Sequence, residues 1–268
     1  MSSSKSEPHE RPKFTPSVMA LQRRGLLESA ATQRTGDDDE NDDDDDDKGE
    51  AKKRHGISLA YRGDPSVKGN RSADIDVNEN TALFLQNVPP RCSYHELLAS
   101  FRDIGKVQST HITPPGDGHR TSCAKVAFYT RAAAEKLYAK IRDGEIVIRG
   151  YKLRCVWNRV KVAGQGEKWH SRILLVAGPE EQLSRQRLDA VLAENIVYDI
   201  DEIIDHGVVD GIARLEYRFG SYTCQAQFAM KAIRAYFDND NDDDVNGRGQ
   251  VCAEFGHLDP CEFALSSD

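Results

Sequence analysis

A flat aromatic ring, a side-chain amide and several cations on neighbouring strands can hold a planar, anionic ligand without breaking a covalent bond. Between positions 84 and 154 the chain supplies such a set: Phe84, Gln86, Lys106, Arg120, Lys125, Lys152 and Arg154. The ring offers a π face, the amide both donates and accepts, and Lys and Arg bring donors with positive charge. Covalent chemistry has no comparable support. The chain lacks H-E-x-x-H, G-x-S-x-G and Walker motifs, and His111 and His170 have no matching carboxylate or nucleophile constellation. No catalytic residue and no cofactor are expected.

Three other clusters invite metal or nucleotide readings and fail on spacing. Cys252, His257 and Cys261 are separated by four and three residues, but a structural zinc site needs a fourth ligand and no CxxC knuckle is present. Asp238, Asp240 and Asp242 open like a calcium loop, yet Asp243 and Gly249 stand where Gly and Glu are required. Gly116-Asp117-Gly118 lies between two strand-like runs, not between a strand and a helix, so a dinucleotide loop is excluded. No metal is expected, and the six cysteines read as reduced thiols of an intracellular protein.

The elements that must position these side chains follow from charge and periodicity. The net charge of -8 conceals a split: residues 1–80 carry 13 Lys+Arg and 18 Asp+Glu, residues 81–170 carry 15 and 7, and residues 171–268 carry 8 and 19. A basic middle between acidic flanks points to a polyanion site in the middle. Residues 1–80 read as a disordered tail, with an acidic run from Asp37 to Asp47 broken only by Asn41. That run either solubilises the chain or folds back on the basic segment as a phosphate mimic. Residues 17–31 have weak helical spacing, and Lys52-Lys53-Arg54 is similar to a minimal nuclear-import patch. No apolar run approaches membrane-spanning length, and the N-terminus has no signal-peptide core. Neither a membrane nor a small-molecule substrate is expected as partner; location is nuclear or cytoplasmic, with the basic patch favouring the nucleus.

From Thr81 the pattern alternates. TALFLQNV reads as a strand with Leu83, Leu85 and Asn87 on one face and Phe84 and Gln86 on the other. YHELLASFRDI follows as a helix capped by Ser93 with Glu96, then strands KVQSTHIT and CAKVAFYT, the helix RAAAEKLYAKIRDG, and a hairpin leading to a last strand in EIVIRGYKLRCVW. The order is βαββαβ, a ferredoxin-like α+β sandwich. After a linker at 161–170, the same order repeats over 171–265, with Phe128 and Phe219 in one register.

Leu83-Phe84-Leu85-Gln86-Asn87-Val88 matches the first-strand hexamer of a known family, and Thr121 to Phe128 aligns with its third-strand octamer at Ala124, Val126 and Phe128. On these motifs residues 81–160 resemble the RNA-recognition-motif family. Residues 58–262, including EYRFGSYTCQAQ and FGHLDPC, are similar to a group of fungal proteins of that family. The resemblance implies single-stranded RNA held on an open sheet face. Phe84 would stack a base, Gln86 would bond a base edge, and Lys125 and Arg154 would hold phosphates, with Lys106, Arg120 and Lys152 at the rim. Cys123 and Lys125 replace the family's other two rings. In the repeat, Leu174 is read as replacing the first-strand ring, and Arg214 and Glu216 the others, which makes 171–265 a degenerate copy suited to protein contact. The rival reading makes the whole chain a protein-interaction adaptor. Deleting residues 1–57 is expected to leave both sandwiches folded, because no core-forming pattern lies there; unchanged far-UV circular dichroism and melting temperature would be the check.

Overall fold

The computed structural model describes residues 72–116, 118–165, 170–239 and 250–263. The acidic run, the 17–31 segment, the basic patch and the loop 240–249 lie outside the described residues. The first sandwich comprises β1 (Ala82–Val88), α1 (Tyr94–Ala99), β2 (Val107–Thr113), β3 (Ser122–Phe128), α2 (Arg131–Arg142), the hairpin β4 (Val147–Ile148) with β5 (Tyr151–Lys152), and β6 (Arg154–Trp157). The second comprises β7 (Ile173–Pro179), α3 (Arg185–Asn195), β8 (Ile200–Val209), β9 (Ile212–Phe219), α4 (Gln227–Asn239) and β10 (Cys252–Phe255). The two four-stranded sheets have orders β2-β3-β1-β6 and β10-β7-β9-β8, which are equivalent under duplication. All neighbouring strands in both are antiparallel.

Alternation builds each core. Leu83 and Leu85 of β1 and Val126 and Phe128 of β3 are fully buried against Leu97, Phe101 and Leu137. Each such side chain stabilises the fold by about 1.5–3 kcal/mol. Ser93 and Glu96 form the expected capping box, and Thr130 caps α2. In the second sandwich Leu174, Val176, Leu215, Tyr217 and Phe219 do the same work with Leu188 and Ile233.

Three expectations need correction. α1 ends at Ala99 rather than running to Ile104. Ser100 turns its hydroxyl back to the Leu97 carbonyl, and Asp103 takes φ 55°. The amides of Ile104 and Gly105 are then recruited by the carbonyl of Cys261, and that of Asp103 by the carbonyl of Phe263. Asn87 does not continue the Leu83–Leu85 face, because a bulge sets Gln86 and Asn87 against one residue of β3. Leu174 is not the counterpart of Phe84. It pairs with Tyr217 on the core face, 0% exposed, whereas Leu175 lies opposite Glu216 as Phe84 lies opposite Lys125.

The two sandwiches are welded together. The chain after β10 crosses to the first unit, where Cys261 joins the core cluster of Leu83 and Leu97. Arg172 is fully buried between them. It donates to Asp259 at 2.8 and 3.0 Å, to Asp201 at 2.8 Å and to the Phe219 carbonyl at 3.0 Å. Asp259 also accepts from the Val107 amide of β2. Burial alone would disfavour the guanidinium, but the carboxylates of Asp259 and Asp201 outweigh it and raise its pKa. Ser221 closes the β2 edge, accepting from the Thr110 amide and donating to its carbonyl. Gly220 is required by contact, since a Cβ there would stand 2.7 Å from the Tyr94 ring.

Arg172→Ala is expected to cost about 3–5 kcal/mol by leaving buried carboxylates unpaired. Hydrogen exchange should show both sheets losing protection together. Leu174→Ala should cost about 2–5 kcal/mol as a core cavity, measured by denaturant titration.

Candidate nucleic-acid interface

The open face of the first sheet carries residues that alternate with its core. Direct pairing sets Phe84 between Lys125 on β3 and Val156 on β6, with His111 of β2 beyond Lys125. The next row holds Thr113 opposite Cys123, and Gln86 opposite Arg154. The row on the other side is shut: Ala82 and Ala127 pair and are both 0% exposed. The returning chain covers that end, where Val162 accepts from the Thr81 amide and Gln165 donates to the Tyr129 carbonyl.

The accessible part of the face is a cavity of about 820 Å³ whose lining includes Phe84, Gln86, Asn87, His119, Cys123 and Arg154. Of the residues singled out from sequence, Phe84, Gln86 and Arg154 meet there, and Lys125 adjoins Phe84 through its strand pairing. Burial lowers the pKa of Lys125, so part of the cost of desolvating this ammonium is already met within the fold. Lys106 instead sits 5.0 Å over the ring of Tyr129, a residue of the second core cluster. Arg120 is exposed in the β2–β3 loop and is absent from the lining. Lys152 lines a separate cavity near the β6 edge.

Cys123 lines the cavity from the ring position read for it, whereas Asn87 and His119 were missed as lining residues. Asn87 had a signal: it is one of the few side chains that tolerate left-handed backbone. Here φ is 59°, and its Nδ2 donates to the Lys152 carbonyl at 2.8 Å, tying the bulge to β5.

The second sheet offers a different surface. Arg214, Glu216 and Arg218 alternate along β9 opposite Ala177, Leu175 and Ile173. Arg218 is held by Glu202 and Glu216, both at 2.6 Å, and Glu216 also meets His206 at 3.0 Å. No ring stands at the Phe84 position, and two carboxylates hold the Arg218 cation. Cys252 is exposed on β10, and Cys261 is buried in the first core.

Residues 83–154 match the family model of the RNA recognition motif. Residues 83–154 therefore form an RNA-recognition-motif domain, and the second sandwich repeats its topology. It is 43% identical over 90 residues to the pre-mRNA-splicing factor SLT11 of Yarrowia lipolytica (strain CLIB 122 / E 150), covering 33% of this chain and 24% of that protein. The chain thus matches less than a quarter of that relative's length. Among solved structures it is similar to the first two RRM domains of yeast poly(U)-binding protein Pub1, at 16% identity and TM-score 0.26, over 65% of this chain and 98% of that one. The three N-terminal RNA-binding domains of the yeast splicing factor Prp24 match at 10% identity and TM-score 0.26, over 66% and 65%.

Asn87→Ala is expected to destabilise the fold by about 2 kcal/mol, combining left-handed strain with a lost hydrogen bond. Asn87→Gly should cost less, because only the hydrogen bond and some chain entropy are lost. Chemical denaturation of the two variants gives the order.

Proposed function

We propose that this chain binds single-stranded RNA on the open face of its first sandwich. Phe84 stacks one base, Gln86 bonds a base edge, and Lys125 and Arg154 hold phosphates. The observation that carries this reading is the accessible Phe84 ring, flanked on its own row by Lys125 and lining one cavity with Gln86 and Arg154. Lys106 and Arg120 are rim cations that add charge without contact to the cavity. The second sandwich serves as a packing partner for the first and as a surface for protein contact, because Arg218 of β9 is held by two carboxylates, Glu202 and Glu216, that repel phosphate. The similarity to a pre-mRNA-splicing factor favours a nuclear role in RNA processing.

Calorimetric titration of the whole chain with random-sequence single-stranded RNA at two salt concentrations tests this. The whole chain is needed, because Cys261 belongs to the first core. Phe84→Ala should cost about 1–3 kcal/mol in binding while the fold is retained. Lys125→Ala should weaken all sequences alike and reduce the salt slope by about one unit. If wild type and Phe84→Ala bind equally, or nothing binds at low salt, the adaptor reading replaces this one. The Phe84–Val156 pair would then be an apolar anchor for a peptide.

A further inference from the structure

Around the β6 edge from the Phe84 platform lies a second cavity of about 520 Å³. Its lining carries three cations, Arg142, Lys152 and Arg154, against one carboxylate, Asp143. It shares Asn87 and Arg154 with the cavity on the open face, so the two adjoin along these residues. β6 is the edge strand of its sheet and only four residues long. The sheet's other edge, β2, is closed by Ser221 at Thr110, and along the strands the Ala82–Ala127 row is shut. A strand of nucleic acid on Phe84 therefore has room to continue towards β6 and none beyond the alanine row.

We propose that single-stranded RNA leaving the Phe84 platform turns over the β6 edge, and that Arg154, Lys152 and Arg142 form a second phosphate subsite there. This rests on the RNA-binding reading above and extends it. Arg142 ends α2, and Lys152 is placed by β5, whose carbonyl is tied to Asn87. The competing contact is weak. Arg142 reaches Asp143 only at 3.6 Å, with both side chains more than half exposed, a geometry of little net stability. Cys155 on the same wall has its thiol pushed up to about 11 by burial, so it adds no negative charge near neutral pH. Three cations beside a groove continuous with the base platform match the spaced charges of a backbone, which contribute affinity without reading sequence.

The test compares uridine oligomers of about four and about twelve nucleotides binding to the full chain, within the range of single-strand site sizes. The double variant Arg142→Gln/Lys152→Gln should bind the long oligomer roughly tenfold more weakly, with a salt slope smaller by about two, and bind the short one as wild type does. The charge-preserving pair Arg142→Lys/Lys152→Arg should restore long-oligomer binding. Equal loss at both lengths, or no loss at either, overturns the subsite. Phe84→Ala separates the two ideas. If it weakens both lengths while the double variant spares the long one, only the subsite falls. If wild type binds neither length, or Phe84→Ala changes nothing, the RNA reading falls and the subsite with it.

Discussion

A guanidinium without access to water can persist only if its surroundings repay the desolvation, and at Arg172 they do so through Asp201 of β8 and Asp259 of the segment after β10. Asp259 faces it with both oxygens, and one of those oxygens also accepts from the Val107 amide of β2. The same short segment then places Cys261 under α1 and lends its carbonyl to two amides that would otherwise have continued that helix. Moving the second sandwich away would thus break the Val107–Asp259 bond, remove a core side chain and take away the partners of a helix end at once. Two duplicated units have become one body.

That fusion explains the asymmetry of the two sheets. Each face begins from the same βαββαβ pattern, but corresponding positions hold opposite chemistry: Phe84 and Lys125 in one, Leu175 and Glu216 in the other. On the second face Arg218 is bound between Glu202 and Glu216, so its donors are already engaged within the fold. On the first, Arg154 is exposed and Lys125 is a desolvated cation whose charged form an incoming anion would favour. A copy relieved of ligand binding can put its polar groups into its own surface network and its C-terminal segment into its neighbour.

Much of this was legible in the chain because it follows from local periodicity. The strands of both units, the Ser93 capping box and the placement of Phe84 and Gln86 opposite Leu83 and Leu85 all follow from alternation and capping chemistry. Leu174 was misassigned for a related reason. ILLVAG is apolar throughout, so period two leaves its faces undetermined, and only pairing with Tyr217 and Glu216 separates Leu174 from Leu175. The bulge at Asn87 was also hidden, since one extra residue changes the face without changing composition. Least legible was Arg172, whose partners lie 29 and 87 positions along the chain. Nothing in the surrounding residues distinguishes a buried, doubly paired arginine from an ordinary one at the start of a strand.

The composition of the open face also bears on what kind of recognition it supports. A sheet with three rings can stack several bases, whereas this one retains Phe84 with Cys123 and Lys125 at the other two positions. On the RNA-binding reading, each missing ring forgoes about 1–3 kcal/mol of stacking, and the cations must offset that loss. Phosphate contacts are indifferent to base identity, so discrimination falls largely to Gln86 and to whatever the loop carrying His119 admits at the cavity mouth. Affinity built this way is steep in salt and tolerant of sequence. If, as proposed, the second sandwich is a surface for protein contact, the segment joining it to the first core would couple that contact to RNA binding.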